Sequence, residues 1–142
     1  MRLLSIILIT PALLICSCSE PKPAESNTPT ENQHSWKVQD VDPAAAQKLL
    51  AENKGVRVLD VRTPAEFSQG HIAGAVNVDF KASDFAHKVA QLDKDQAYIV
   101  HCRSGNRSTK SLPILKKNNF GTIYHLNKGF NAWSAAGMPT ER

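Results

Sequence analysis

Short apolar runs, each followed closely by a helix-start signal, set the tightest limit on how this chain folds. Val56 to Val61 reads as a strand and leads into Thr63-Pro64-Ala65-Glu66, which has the form of a capping box. Ala97-Tyr98-Ile99-Val100 reads as a buried strand, and after a short loop Thr109 to Asn118 reads as a helix. Ala75 to Val78 and Thr122 to Leu126 add two more strands, and Phe85, Val89 and Leu92 are spaced for one face of a helix beginning after Ser83 or Asp84. Before them, Asp42-Pro43 starts a helix, with aspartate as N-cap and proline at the first helical position. Ala46, Leu49 and Leu50 share its inner face, and Gly55 is placed to end it. Strand and helix alternating through short connections require parallel strands covered on both faces. The expectation is an α/β domain with a central parallel sheet of about five strands. Pro113 falls inside the helix after the 97–100 strand and removes a backbone donor, so that helix either kinks or begins its regular part after Ser108.

The loop His101-Cys102-Arg103-Ser104-Gly105-Asn106-Arg107-Ser108 joins that strand to its helix. A strand turning sharply into a helix aims the N–H groups of the turn at one point, which attracts negative charge. A cysteine at the start of such a turn is favoured as the thiolate, because the anion is what the N–H groups stabilise. Arg103 and Arg107 add positive charge, and Gly105 opens a backbone conformation closed to residues with a Cβ. The residues describe a reactive thiolate at the mouth of an anion cradle.

These residues resemble the rhodanese superfamily of sulfurtransferases, whose loop has the form Cys-Arg-x-Gly-x-Arg, met here as Cys102 to Arg107. Two further stretches carry the resemblance. One is Leu59-Asp60-Val61-Arg62-Thr63-Pro64-Ala65-Glu66-Phe67 with Gly70-His71-Ile72-Ala73-Gly74-Ala75-Val76-Asn77, and the other is Leu126-Asn127-Lys128-Gly129-Phe130-Asn131-Ala132-Trp133 with Gly137-Met138-Pro139. It extends from about Trp36 to the C-terminus and departs at Lys128, where the family usually has glycine. The resemblance implies that Cys102 takes a sulfane sulfur from an anionic donor such as thiosulfate, holds it as a persulfide, and passes it to a thiophilic acceptor, cyanide or a thiol. Arg103, Ser104, Gly105, Asn106 and Arg107 would bind the donor. Both half-reactions are substitutions through one covalent intermediate, so no metal or organic cofactor is expected.

Other charged residues read as support for the loop. Asp60 and Arg62 end a strand beside a helix start and Glu66 sits in the capping position, so a carboxylate–arginine network there would fix the turn. His71 reads as a hydrogen-bonded structural histidine, and strand alternation points His101 away from Cys102. Two rival readings stand beside sulfur transfer. Cysteine-dependent phosphatases and arsenate reductases also hold a thiolate and an arginine in an N–H cradle, but with five residues between them; here there are four, Arg103 to Asn106. The shorter loop encloses less space and suits one sulfur atom better than a tetrahedral oxyanion. A non-catalytic rhodanese-like binding module is the other rival, and Cys102 and Arg107 speak against it, since inactive members commonly lose the cysteine.

Residues 1–17 have the form of a lipoprotein signal. Arg2 supplies charge, Leu3 to Ile15 is mostly apolar and too short to span a bilayer, and Ile15-Cys16-Ser17-Cys18 resembles a bacterial lipobox with Cys18 as the lipidated residue. Residues 18–34 hold Pro21, Pro23 and Pro29 among polar residues and read as a disordered tether, with the rhodanese-like domain at 35–142. With Cys16 removed and Cys18 acylated, Cys102 is the one thiol left in the mature chain. The expected location is the bacterial cell envelope, lipid-anchored and facing the periplasm, on a membrane the sequence does not specify. The net charge of +4 is modest, and no basic patch interleaved with aromatics points to nucleic acid. Nothing in the sequence sets an oligomeric state.

Overall fold

The structure, a computed structural model, describes residues 35–142. The signal read at 1–17, the tether at 18–34 and Cys18 lie outside the described residues.

Seven strands and five helices follow one another in the described residues: β1 (Lys37–Asp40), α1 (Pro43–Glu52), β2 (Val56–Asp60), α2 (Pro64–Ser68), β3 (His71–Ile72), β4 (Ala75–Asn77), α3 (Phe85–Ala90), β5 (Ala97–His101), α4 (Asn106–Lys117), β6 (Thr122–His125), α5 (Gly129–Ala135) and β7 (Thr140–Glu141). Five strands form one sheet in the order β1-β6-β5-β2-β4, and every pair in it is parallel. The α/β architecture read from the sequence is the observed one. The short strands β3 and β7 make a separate antiparallel ribbon, with His71 opposite Glu141.

The sheet is buried on both faces, as parallel sheets require. On one side Leu59, Val100, Leu115, Phe120 and Ile123 pack with Phe85 and Val89 of α3, and Cys102 belongs to this cluster. On the other, Val58, Ile99 and Leu126 pack with Ala46 of α1 and Trp133 of α5. β5 runs through the middle, and its alternation sends Tyr98 and Val100 to the first face and Ile99 to the second. Its continuation therefore delivers Cys102 to the α4 side.

Local signals explain the helix starts. Asp42 caps α1 by accepting from the Ala45 N–H at 2.8 Å. Thr63 and Glu66 form the full capping box at α2. Two boundaries differ from the sequence reading. α1 ends at Asn53 rather than at Gly55, and the Asn53 side chain accepts the Gly55 N–H at 2.9 Å. α4 begins at Asn106, three residues before the Thr109 read from the sequence, and passes through Pro113. A late start is thus excluded. The early start follows from Gly105, whose left-handed backbone (φ 98°) turns the chain directly into the helix.

Candidate active site

The strand ends on the carboxyl edge of the sheet lie side by side, the usual place for a site in an open α/β sheet. Asp40 ends β1, His125 ends β6, His101 ends β5 and Asp60 ends β2. Asp40 is in register with His125, and His125 with Val100. Cys102 follows β5 immediately.

Cys102 is 1 % exposed, yet its sulfur faces donors on several sides. The Gly105 N–H donates to Sγ at 3.2 Å, and the Ser108 hydroxyl lies 3.7 Å away. Burial by itself would push the thiol up; the N–H groups of Ser108 and Ser104, the Ser108 hydroxyl and the Gly105 N–H outweigh it, and the thiol pKa lies below its ordinary value. The loop turns its carbonyls the other way. The Phe130 N–H donates to the Cys102 carbonyl at 2.8 Å and the Asn131 N–H to that of Arg103 at 3.0 Å, so the start of α5 holds the back of the loop. Two glycines make this approach possible. A Cβ on Gly105 would sit 1.8 Å from the Asn127 carbonyl oxygen, and one on Gly129 (φ 63°) would sit 2.4 Å from that of Cys102. Lys128, where the resemblance departs, has an ordinary right-handed backbone and needs no glycine.

The arginines divide by partner. Arg107 meets the Glu66 carboxylate with two hydrogen bonds of 2.7 Å each, a bidentate pair. That pairing raises the Arg107 pKa most; burial opposes it, and Cys102 raises it further. The same pairing, against burial and with help from Thr63, holds the Glu66 carboxyl at about 2. Arg62 grips Asp60 through Nε at 2.8 Å and Nη2 at 2.6 Å, both residues fully or almost fully buried. It also donates to the Gly70 carbonyl at 2.8 Å and lies 4.0 Å over the Phe130 ring. The network expected of Asp60, Arg62 and Glu66 is therefore two separate pairs, and Arg107 belongs to one of them. Arg103 is exposed at the loop rim and has no ion-pair partner among the described residues. Ser104 and Asn106 are also exposed there. A cleft of about 410 Å³ opens beside Arg103, walled by Arg62, Glu66, Gln69, Phe130 and Asn131. A larger cavity of about 580 Å³, by Trp133 and Ile72, includes no residue of the loop.

The histidines fall as follows. His71 stacks on Phe67 at 3.7 Å between ring centres, and its Nδ1 lies 3.1 Å from the Phe67 carbonyl. Its Nε2 is 3.4 Å from Glu141, which places it in the β3–β7 ribbon. His101 is fully buried with Nδ1 3.2 Å from the Cys102 carbonyl, on the side away from the sulfur, and burial lowers its pKa. His125 has no role in the sequence reading, but its Nε2 lies 2.9 Å from Ser108 Oγ and its Nδ1 3.0 Å from Asp40. The one available signal was a histidine at the end of a strand beside the cysteine strand.

A cysteine sulfur buried among main-chain donors that favour its anion, with arginines in the same loop, defines a class: enzymes that use cysteine as a nucleophile toward anionic substrates. The rhodanese-like domain profile matches residues 42–136. A sulfurtransferase of Allochromatium vinosum is 30% identical over 72% of this chain and 94% of its own length. Thiosulfate sulfurtransferase 16 of Arabidopsis thaliana is 39% identical over 61% of this chain and 81% of its own. The thiosulfate sulfurtransferase GlpE of Shewanella oneidensis is 34% identical over 61% and 84%. Among solved structures, a rhodanese-related protein of Thermoplasma volcanium superposes with a TM-score of 0.62 at 30% identity, over 72% of this chain and 97% of that one. This chain belongs to the rhodanese family.

Proposed function

We propose that the protein is a thiosulfate sulfurtransferase that carries sulfane sulfur as a persulfide on Cys102. The observation that carries the reading is the sulfur itself: buried, yet surrounded by N–H donors that favour its anion. Sulfurtransferases at 30% to 39% identity support it. In the first half-reaction the Cys102 thiolate attacks the outer sulfur of thiosulfate. A new S–S bond forms, the sulfur–sulfur bond of the donor breaks, and sulfite leaves with its electron pair. In the second, cyanide or a thiol attacks the terminal sulfur, and the Cys102 thiolate is the leaving group. The N–H cradle holds the charge at both stages, and exposed Arg103 at the loop rim meets the anionic donor. Arg107, already neutralised by Glu66, orders the loop and lends residual positive charge.

Incubation with thiosulfate should make the protein heavier by one sulfur atom, and cyanide should remove it as thiocyanate. Cys102→Ser should abolish both. Release of phosphate from an aryl phosphate, with Cys102 left unmodified by every sulfur donor, would refute the reading in favour of phosphatase chemistry. For residues 1–34 the proposal is a signal ending before Cys18, acylation of Cys18 and a tether that holds the domain at the envelope membrane, facing the periplasm. Two or more acyl chains give stable residence, at about 0.8 kcal/mol per buried CH₂. Fractionation of wild type against Cys18→Ala tests it; equal solubility of the two rejects the anchor.

A further inference from the structure

The buried Cys102 thiol must lose a proton before it can act, and its sulfur has little direct access to water. The structure supplies a path. Ser108 Oγ lies 3.7 Å from Sγ and 2.9 Å from His125 Nε2, and His125 Nδ1 lies 3.0 Å from Asp40 Oδ1. Ser108 is fully buried and the His125 side chain is 5 % exposed, whereas the Asp40 side chain is 63 % exposed. Asn127 Nδ2 donates to the other Asp40 oxygen at 3.1 Å and fixes the carboxylate. Three residues from three elements thus form one line from the sulfur to the surface. Neither Asp40 nor His125 is in the loop, and the two are 85 residues apart.

We propose that Ser108, His125 and Asp40 form a proton relay that takes the Cys102 thiol proton to the protein surface. The chemistry follows from counting hydrogens. An ionised carboxylate only accepts, so Nδ1 of His125 carries a proton toward Asp40 and Nε2 of the neutral ring is an acceptor; the single Ser108 hydrogen is shared between Nε2 and the Gly105 carbonyl, each 2.9 Å from Oγ. In that state Ser108 has no hydrogen to offer Sγ, and its oxygen faces the thiol as an acceptor. When the S–H bond breaks, the proton passes to Ser108 Oγ while the Ser108 proton passes to Nε2. Sulfur keeps the bonding electron pair. The imidazolium now donates to Ser108 through Nε2 and to Asp40 through Nδ1, which leaves the serine hydrogen to the Gly105 carbonyl and the new thiolate. Charge is conserved, and every hydrogen has an acceptor. From Asp40 the proton exchanges with solvent. The titratable groups brought to the ring nitrogens are Asp40 on β1 and, through Ser108 on α4, Cys102; the β5 neighbour is uncharged Val100. Cys102 and Ser108 touch the reacting sulfur, and His125 and Asp40 are positioning residues behind them.

The relay serves the thiolate on which the sulfur-transfer reading rests, so its test reads thiolate formation separately from sulfur uptake. Iodoacetamide alkylation of the Cys102 peptide, followed by mass spectrometry in the full chain across pH, is measured for wild type, His125→Asn and Asp40→Asn. The relay predicts that His125→Asn moves the alkylation profile to higher pH and slows alkylation at about pH 6 roughly tenfold. Asp40→Asn, at an exposed site that tolerates the change, should slow alkylation at that pH about threefold by removing the partner of the imidazolium. Folded variants with the wild-type profile overturn the relay; if His125→Asn does not fold, Asp40→Asn decides alone. Sulfur uptake with unchanged profiles rejects the relay and keeps the transferase. Profiles that shift in both variants as expected, in a protein that takes no sulfur from any donor, do the reverse.

Discussion

Glu66 offers the sharpest quantitative test of how the loop is held. Its carboxyl is held at about 2 against an ordinary 4.5, lowered first by the Arg107 guanidinium, raised by burial, and lowered again by the Thr63 N–H and hydroxyl. A displacement of that size corresponds to at most about 3 kcal/mol at neutral pH. The Glu66 side chain is 28 % exposed, so water carries part of the interaction and about 2 kcal/mol is the expected share of the pair. The folded state binds fewer protons than the unfolded one between the two pKa values. The contribution is therefore complete above about pH 4.5 and is lost as pH falls through about 2. Glu66→Gln is the useful perturbation, because the amide oxygen still accepts from Thr63 while the charge on Arg107 goes unanswered. Urea unfolding followed by tryptophan fluorescence should place the variant about 2 kcal/mol below wild type at about pH 7. By about pH 3.5 wild type has lost roughly 1 kcal/mol of the carboxylate's contribution, and the gap should narrow by that amount. An equal gap at both pH values would mean that charge is not what Glu66 provides. Unchanged stability with sulfur transfer abolished would make Glu66 a participant in the chemistry.

Other outcomes follow from the same contacts. Gly105→Ala should cost about 3 kcal/mol or more, or fail to fold, because the new Cβ meets the Asn127 carbonyl oxygen at 1.8 Å on a left-handed backbone; a thermal melt decides. Asp60→Ala should cost about 3–5 kcal/mol in urea unfolding, since it leaves Arg62 buried without its counter-charge, whereas a loss under 1 kcal/mol would show that water reaches the pair. Arg103→Ala should raise KM for thiosulfate several-fold with the melting temperature unchanged, because the side chain is exposed and carries no ion pair among the described residues. Arg107→Ala should raise KM and also lower the melting temperature, as it strands Glu66.

Much of the fold was legible because its signals are local. Thr63 to Glu66 contains the whole capping box of α2, and Asp42-Pro43 contains the start of α1. The strands β2, β5 and β6 are apolar runs bounded by turn residues. The edge strand β1 lacks such a run: all four of its residues are exposed, and only pairing with β6 makes it a strand. In the site, Cys102 and its loop were readable because one short segment carries both the nucleophile and its donors. The partners were not. Glu66 could be read as a cap but not as the counter-ion of Arg107, 41 residues away. Asp40 and His125 are neighbours solely through sheet order, and no spacing in the sequence encodes that. Pro113 left a kink and a late helix start both open, and the turn at Gly105 decides against the late start.

The start of α5 is bonded to the carbonyls of Cys102 and Arg103, and the peptide unit that follows Arg103 has a polarity: oxygen outward to a helix, the Ser104 N–H toward the sulfur. A carbonyl engaged in this way strengthens the donor that follows it along the chain. The acidity of the thiol is thereby owed in large part to the backbone path, set by two glycines and a neighbouring helix, with the buried Ser108 hydroxyl adding to it. The rim side chains of Arg103, Ser104 and Asn106 are left free of that duty. Exchanging them should change which anions enter and how fast, while the charge on the sulfur stays where the main chain set it. Selectivity and reactivity are then separately adjustable in a loop of six residues.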